Sequence, residues 1–189
     1  MDITKTLYVT DRKQLRSWFA ENHDKEKEIW LIYYRKSSGK PRISYNHAVE
    51  EALCFGWIDS TAKRMDDERF AQRFTPRRPG SNISEMNKER MHRLIRQKRM
   101  TSAGLKAVSG VFDIPKHGDG KLIVAPDILK VLKADKKAWK NFQDFPEGYK
   151  KVRIGYIESQ RRHSHEMFKK SLLNFIKMTS KNKRFGMVR

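Results

Sequence analysis

Over the first hundred residues the apolar positions switch repeatedly between a spacing of two and a spacing of three to four. TLYV (6–9) is a short β-prone run. DRKQLRSWFAEN (11–22) places Leu15, Trp18 and Phe19 at helical spacing behind Asp11, whose side chain suits a helix cap. EIWLIYYRK (28–36) is dense in aromatic and β-branched residues and reads as a strand ended by SSGKP. Ser44 can cap a helix running through NHAVEEALCF, with Tyr45, Ala48, Val49, Ala52, Leu53 and Phe55 on its buried side. Gly56 then stands where a left-handed C-terminal residue is expected. WIDSTAK (57–63) and RFAQRFT (69–75) read as paired strands joined by the acidic turn MDDE.

Beyond residue 84 the pattern stays helical. Ser84 begins a helix through Met100 with Met91, Leu94 and Ile95 as its stripe, and TSAGLKAVSG (101–110) forms a shorter one. VFDIPKHGDGKLIV (111–124) reads as a loop. Pro126 is placed as the first residue of a helix holding Ile128, Leu129 and Leu132. Asp135 caps a segment with Trp139 and Phe142; Tyr149, Val152, Tyr156 and Ile157 mark a third helix, and Phe168, Leu172, Phe175 and Ile176 a fourth. KMTSKNKRFGMVR (177–189) reads as a frayed basic tail. The pattern predicts an α+β fold, a small antiparallel sheet with helices over residues 1–110. A linker at 111–125 and a basic helical unit at 126–189 follow.

Composition sharpens this. With 38% hydrophobic and 11% aromatic residues among 189, the chain can bury a core, so its mean hydropathy of −0.82 reflects a charged surface. No apolar run approaches the roughly 20 residues of a membrane span, and MDITKTLYVTDRK lacks a signal-peptide core. The single cysteine, Cys54, excludes an internal disulfide and fits a reducing compartment. The expectation is a soluble cytoplasmic protein with no transmembrane segment. The net charge of +20 is uneven: +1 over residues 1–60, +7 over 61–100 and +12 over 130–189. Such asymmetry attracts polyanions, or serves solubility alone.

The chemistry concentrates in two places. TPRRPGSNIS (75–84) brings Arg77 and Arg78 up to a helix start, with Ser81, Asn82, Ser84 and Asn87 as further donors and Trp57, Asp59, Arg73 and Thr75 in support. Free N–H groups beside guanidinium suit a phosphate, sulfate or carboxylate. On the plainer reading Ser84 caps the helix and one arginine pairs with Asp59 or Asp66. Trp57 and Asp59 share a strand face, and Asp59 is a base or an ion-pair partner; Glu50 and Glu51 fit the latter role. No residue is assigned as catalytic. Cys54 lies on an apolar stripe and reads as inert; His163 and His165 point apart on a helix, so no metal is expected, and no cofactor-binding motif is present.

In the C-terminal unit Lys136, Lys137, Lys150, Lys151, Arg153, Arg161, Arg162, Lys169 and Lys170 alternate with Trp139, Tyr149 and Phe168. Interleaved basic and aromatic residues can grip nucleic acid or another polyanion. Alternatively, the aromatics are core and the lysines a solvated face.

AVEEALCFGWIDS (48–60), RFTPRRPGSNIS (73–84) and KRMTSAGL (98–105) together resemble the bacterial YdeI/OmpD-associated family, also called bacteriocin-protection proteins. PDILKVLKAD through GYIESQRRHSHEMFKKSLLNFI is similar to that family's helical tail. Ser60 stands where the family usually has glycine, and Ile83 where it usually has tryptophan. The resemblance implies a link to antimicrobial-peptide resistance or porin association. The reading is a non-enzymatic binding or adaptor protein with a basic polyanion-binding surface. Its alternatives are an enzyme on a small phosphorylated or carboxylated substrate clamped by Arg77 and Arg78, with Asp59 as acid/base, and a module for an acidic protein partner.

Overall fold

The computed structural model describes residues 2–112 and 122–186. The chain divides into two compact units, Met1–Asn82 with Arg90–Asp113 and Ile83–Glu89 with Ile114–Arg189.

In the first unit, β1 (Thr6–Leu7), β2 (Ile29–Tyr34), β3 (Trp57–Arg64) and β4 (Arg69–Pro76) form one sheet in the order β1-β2-β4-β3. The three longer strands run antiparallel, and β1 adds a parallel edge beside Trp30 and Leu31. The fold is α+β as its pattern predicts, and the sheet is mixed because two residues of TLYV find an open edge. Register places Leu31, Tyr33, Gln72, Phe74 and Asp59 on one face. Trp57 shares it and meets Trp18 and Phe19 of α1 (Arg12–Asn22), with ring centroids 5.9 and 5.4 Å apart. Asp11 caps α1 by accepting from the Lys13 and Gln14 amides, and Ser44 caps α2 (Tyr45–Cys54) through the His47 amide.

Two glycines are required where α2 ends. Gly56 adopts φ +78°. A Cβ on Gly104, in α4 (Ser102–Val108), would sit 2.2 Å from the Cys54 carbonyl oxygen. That same carbonyl accepts both the Thr101 amide (3.0 Å) and its hydroxyl (2.6 Å). The blocks CFGW and TSAG are therefore two halves of one tight junction. Between them, α3 (Glu85–Arg96) stops short of Met100: Lys98 turns left-handed at φ 55°, with Arg99 N–H donating to Leu94 O and Lys98 N–H to Ile95 O. This helix stop usually employs glycine, so a lysine there concealed it.

The second unit contains α5 (Pro126–Ala134), α6 (Lys136–Asp144), α7 (Glu147–Gln160) and α8 (His165–Ser180). Ile128, Leu132, Phe142, Tyr149, Ile157, Phe168, Leu172 and Phe175 form its core. Pro126 opens α5, Asp135 caps α6 through the Ala138 amide, and Ser164 caps α8 through the Met167 amide. The expected frayed tail is a correction in part. Residues 177–180 complete α8, left-handed Asn182 ends it, and the Phe185 amide donates to the Tyr149 hydroxyl at 3.2 Å. Residues 187–189 and most of the expected linker, 113–121, lie outside the described residues.

Candidate functional site

Three arrangements could carry function. The first is a network between α1 and α2. Glu51 is fully buried, and Arg12 reaches it through Nε at 2.8 Å and Nη2 at 2.7 Å. Arg16 Nη1 reaches it at 3.0 Å, and Arg99 donates to it as well. Arg12 Nη2 also lies 2.9 Å from Glu50, which accepts from Arg93 too. Two carboxylates thus hold four guanidinium groups that remain 24 to 47% exposed at their side chains. Glu50 and Glu51 are ion-pair partners as expected, but of helix and loop arginines rather than a basic strand. The signal lay in Arg12 and Arg16, spaced four apart like Leu15 and Phe19, and in two glutamates flanked by Val49 and Ala52.

The second is the loop at 75–84. Arg77 is buried, and its Nη2 donates to Ser81 O at 2.8 Å and Asn82 O at 2.5 Å. Its Nε is buried without a partner among the described residues, and desolvation lowers its pKa from the ordinary arginine value. Arg78 is exposed and starts a turn through Pro79 and left-handed Gly80, its carbonyl accepting the Ser81 amide (3.2 Å) and hydroxyl (2.7 Å). Arg77 is thus turned onto its own loop, whereas Arg78 is exposed. Arg77 braces the loop because carbonyl oxygens a few residues away outcompete solvent for a guanidinium that burial has stripped of water. Ser84 accepts the Asn87 amide at 3.3 Å and caps α3. Neither arginine pairs with Asp59 or Asp66: Asp66 takes Arg69, and Asp59 accepts the Tyr45 hydroxyl at 2.5 Å. Burial raises the Tyr45 pKa first, and the Asp59 bond adds to it. Trp57 donates to His23 O at 3.0 Å, Arg73 pairs with Glu28, and Thr75 is half-buried. These residues stand in separate contacts.

The third is the basic surface of the second unit. Asn141 Nδ2 donates to Thr179 O (2.9 Å) and Ser180 O (3.3 Å), and Ser180 Oγ lies 3.5 Å from Oδ1 of Asp135, the α6 cap, which together set the start of α6 beside the end of α8. Lys136, Lys137 and Lys140 are thereby gathered at the same end as Lys177, Lys181 and Lys183, all exposed. Among the described residues none of the six has an ion-pair partner. Lys169, Lys170 and Arg162 are also exposed, and Lys151 is half-buried.

Three expected members of that surface are corrected. Lys150 is 8% exposed and donates to Gln143 O and Glu147 Oε1, each at 2.9 Å. Arg153 is buried with its guanidinium carbon 3.9 Å from the Phe185 ring centroid, and desolvation lowers its pKa. Arg161 is exposed but occupied: Nη2 meets both Asp127 oxygens at 2.8 and 2.7 Å, and Nε meets Glu158 at 2.7 Å. Tyr149 and Phe168 are core, as their spacing indicates, and Trp139 packs partly buried against it. Helical periodicity placed the aromatics. It left Lys177, Lys181 and Lys183 within an expected tail, because their company with α6 depends on the distant contacts of Asn141 and Asp135 with the end of α8.

No helix among the described residues is long and apolar enough to cross a membrane. The family model described as Bacteriocin-protection, YdeI or OmpD-Associated matches residues 121–182. A second, described as a domain of unknown function (DUF8412), matches residues 7–107. The recognisable N-terminal blocks therefore fall within a separate domain family, and the helical region carries the YdeI/OmpD-associated match. No curated protein and no solved structure matches the chain.

Proposed function

The chain belongs to the family of the DUF8412 domain through residues 7–107 and carries the YdeI/OmpD-associated, bacteriocin-protection region through residues 121–182; from that premise we propose a non-enzymatic, polyanion-binding protein. The observation that carries the reading is the meeting of α6 and α8, which collects Lys136, Lys137, Lys140, Lys177, Lys181 and Lys183 without intervening ion pairs. A compact, strongly hydrated ammonium on a flexible stem grips phosphate as a point charge, without the geometry that sequence readout needs. Binding of this kind is electrostatic, falls with salt and is indifferent to base sequence. Cytoplasmic nucleic acid is the polyanion we favour, and protection against bacteriocins, which the family description names, is the setting in which we place it.

The enzyme alternative gains no support from the same geometry. Its acid/base residue, Asp59, is engaged by Tyr45, and Arg77 of its clamp is turned onto backbone carbonyls.

The test is a salt titration of binding to duplex DNA, single-stranded RNA and anionic vesicles. It compares the wild type with a Lys136→Gln/Lys137→Gln/Lys177→Gln/Lys181→Gln variant. Each lost phosphate contact should flatten the log–log salt dependence on duplex DNA by about 0.9. A variant that binds as the wild type does, or a wild type that binds nothing at physiological salt, ends this reading. A partner recovered from cells that survives nuclease treatment would move the assignment to an acidic protein.

A further inference from the structure

The C-terminal unit holds a cavity of about 420 Å³. Its size lies within the roughly 300–1,000 Å³ typical of small-molecule pockets. Val124, Trp139 and Phe142 supply apolar residues to its lining, and Gln143, Glu147 and Lys150 complete it. Lys150 is the informative residue. Burying an ammonium in apolar surroundings is costly unless its donors are met, and among the described residues two oxygens meet it, Gln143 O and Glu147 Oε1. An ammonium has three N–H donors, so one remains. The ammonium lies 5.5 Å from the Phe142 ring centroid, over a wall of the cavity. A second ammonium, that of Lys133, sits 5.2 Å from the Trp139 ring centroid. Of these two, Lys150 lines the cavity itself, beside one carboxylate, Glu147, whose side chain is 60% exposed.

We propose that this cavity binds a small amphipathic anion, with an aromatic or short aliphatic body against Trp139 and Phe142 and a carboxylate or sulfonate head at Lys150. The rings give the body an apolar surface, and the third N–H of Lys150 would supply a charge-assisted hydrogen bond to the head. The net positive charge of residues 130–189 raises the local concentration of any such anion. This site is separate from the lysine cluster where α6 meets α8, so either can fail without the other.

The experiment uses the full chain and the dye anilinonaphthalene sulfonate, which joins an aromatic body to a sulfonate. Trp139 is the one tryptophan in residues 122–186, so dye in the cavity accepts its excitation. Saturable binding is expected, with tryptophan-excited dye emission reduced in Trp139→Phe while directly excited emission persists. Lys150→Met should weaken binding about tenfold, the size of one charge-assisted hydrogen bond. Val124→Phe, which narrows the cavity, should weaken it. Decanoate and naphthoate should displace the dye better than decanol and naphthol, and the stronger acid tells whether an aliphatic or aromatic body fits. Unsaturable binding overturns the proposal, as does transfer undiminished in Trp139→Phe. Alcohols that displace the dye as well as the acids do would also overturn it. These last two readouts stand even if Lys150→Met or Val124→Phe fails to fold.

Discussion

Arg93 and Arg99 in the first unit reach glutamates that are 7% and 0% exposed, whereas Lys136 and Lys181 in the second face water without an ion pair. Both stretches are strongly basic by count, +7 over residues 61–100 and +12 over 130–189. Their chemistry differs. Guanidinium is planar, weakly hydrated and forked, so it can follow a carboxylate into the core, and ammonium prefers to stay hydrated. Arginine here stitches α1, α2 and the end of α3 together, while lysine leaves its charge available to a partner. Net charge therefore locates a binding surface only after the internally neutralised part has been set aside.

Four changes would break or sharpen this contrast. The largest effect should come from replacing Lys136, Lys137, Lys177 and Lys181 with glutamine. At about 1 kcal/mol per basic residue near an anionic surface, vesicle affinity falls by about three orders of magnitude. Thermal stability should barely move, each exposed site contributing within about 0.5 kcal/mol. Glu51→Gln should do the reverse. Removing a buried carboxylate that faces three arginines costs about 3 kcal/mol in chemical denaturation, with polyanion affinity unchanged. If Glu51→Gln is as stable as the wild type, the network is ornamental and the contrast fails.

Gly104→Ala comes next. In an open helix this change gains helix propensity, but here the new methyl would collide with Cys54 O, for a loss of about 2 kcal/mol. A stabilised variant would mean that α4 is free to shift. The smallest effect concerns Glu28, whose pKa is held below its ordinary value by the Thr4 hydroxyl and then by Arg73. A folded pKa below the unfolded one adds stability above the unfolded value, near 4.3, and this is lost as pH falls through the folded value. Glu28→Gln should therefore flatten part of the acid limb of the stability profile, by under about 1 kcal/mol for a pair near the surface. An unchanged limb would remove Glu28 from the acid response.

The elements were legible because they rest on local chemistry. Asp11, Ser44 and Asp135 cap the helices their side chains suggest, Pro126 opens α5, and Gly56 is left-handed. What depends on distant contacts was not. The parallel edge of β1 needs an open strand beside it, and the end of α3 needs a lysine in a conformation more common for glycine. Arg77 could face a ligand or its own loop, and only the positions of Ser81 O and Asn82 O decide. Lys150 and Arg153 have the spacing of surface cations, yet Gln143, Glu147 and Phe185 draw them inward. Sequence shows which residues carry charge, and packing determines which of them keep it on the outside.

The carbonyl of Cys54 receives two bonds from Thr101, and Gly104 lies directly against it. The thiol of the same residue is wholly buried, and burial pushes its pKa upward. A reagent that attacks only exposed thiolate must wait for that junction to part. The chain thus contains a clock: the rate at which its one sulfhydryl is modified counts how often the packing around the end of α2, Arg16 of α1 included, opens.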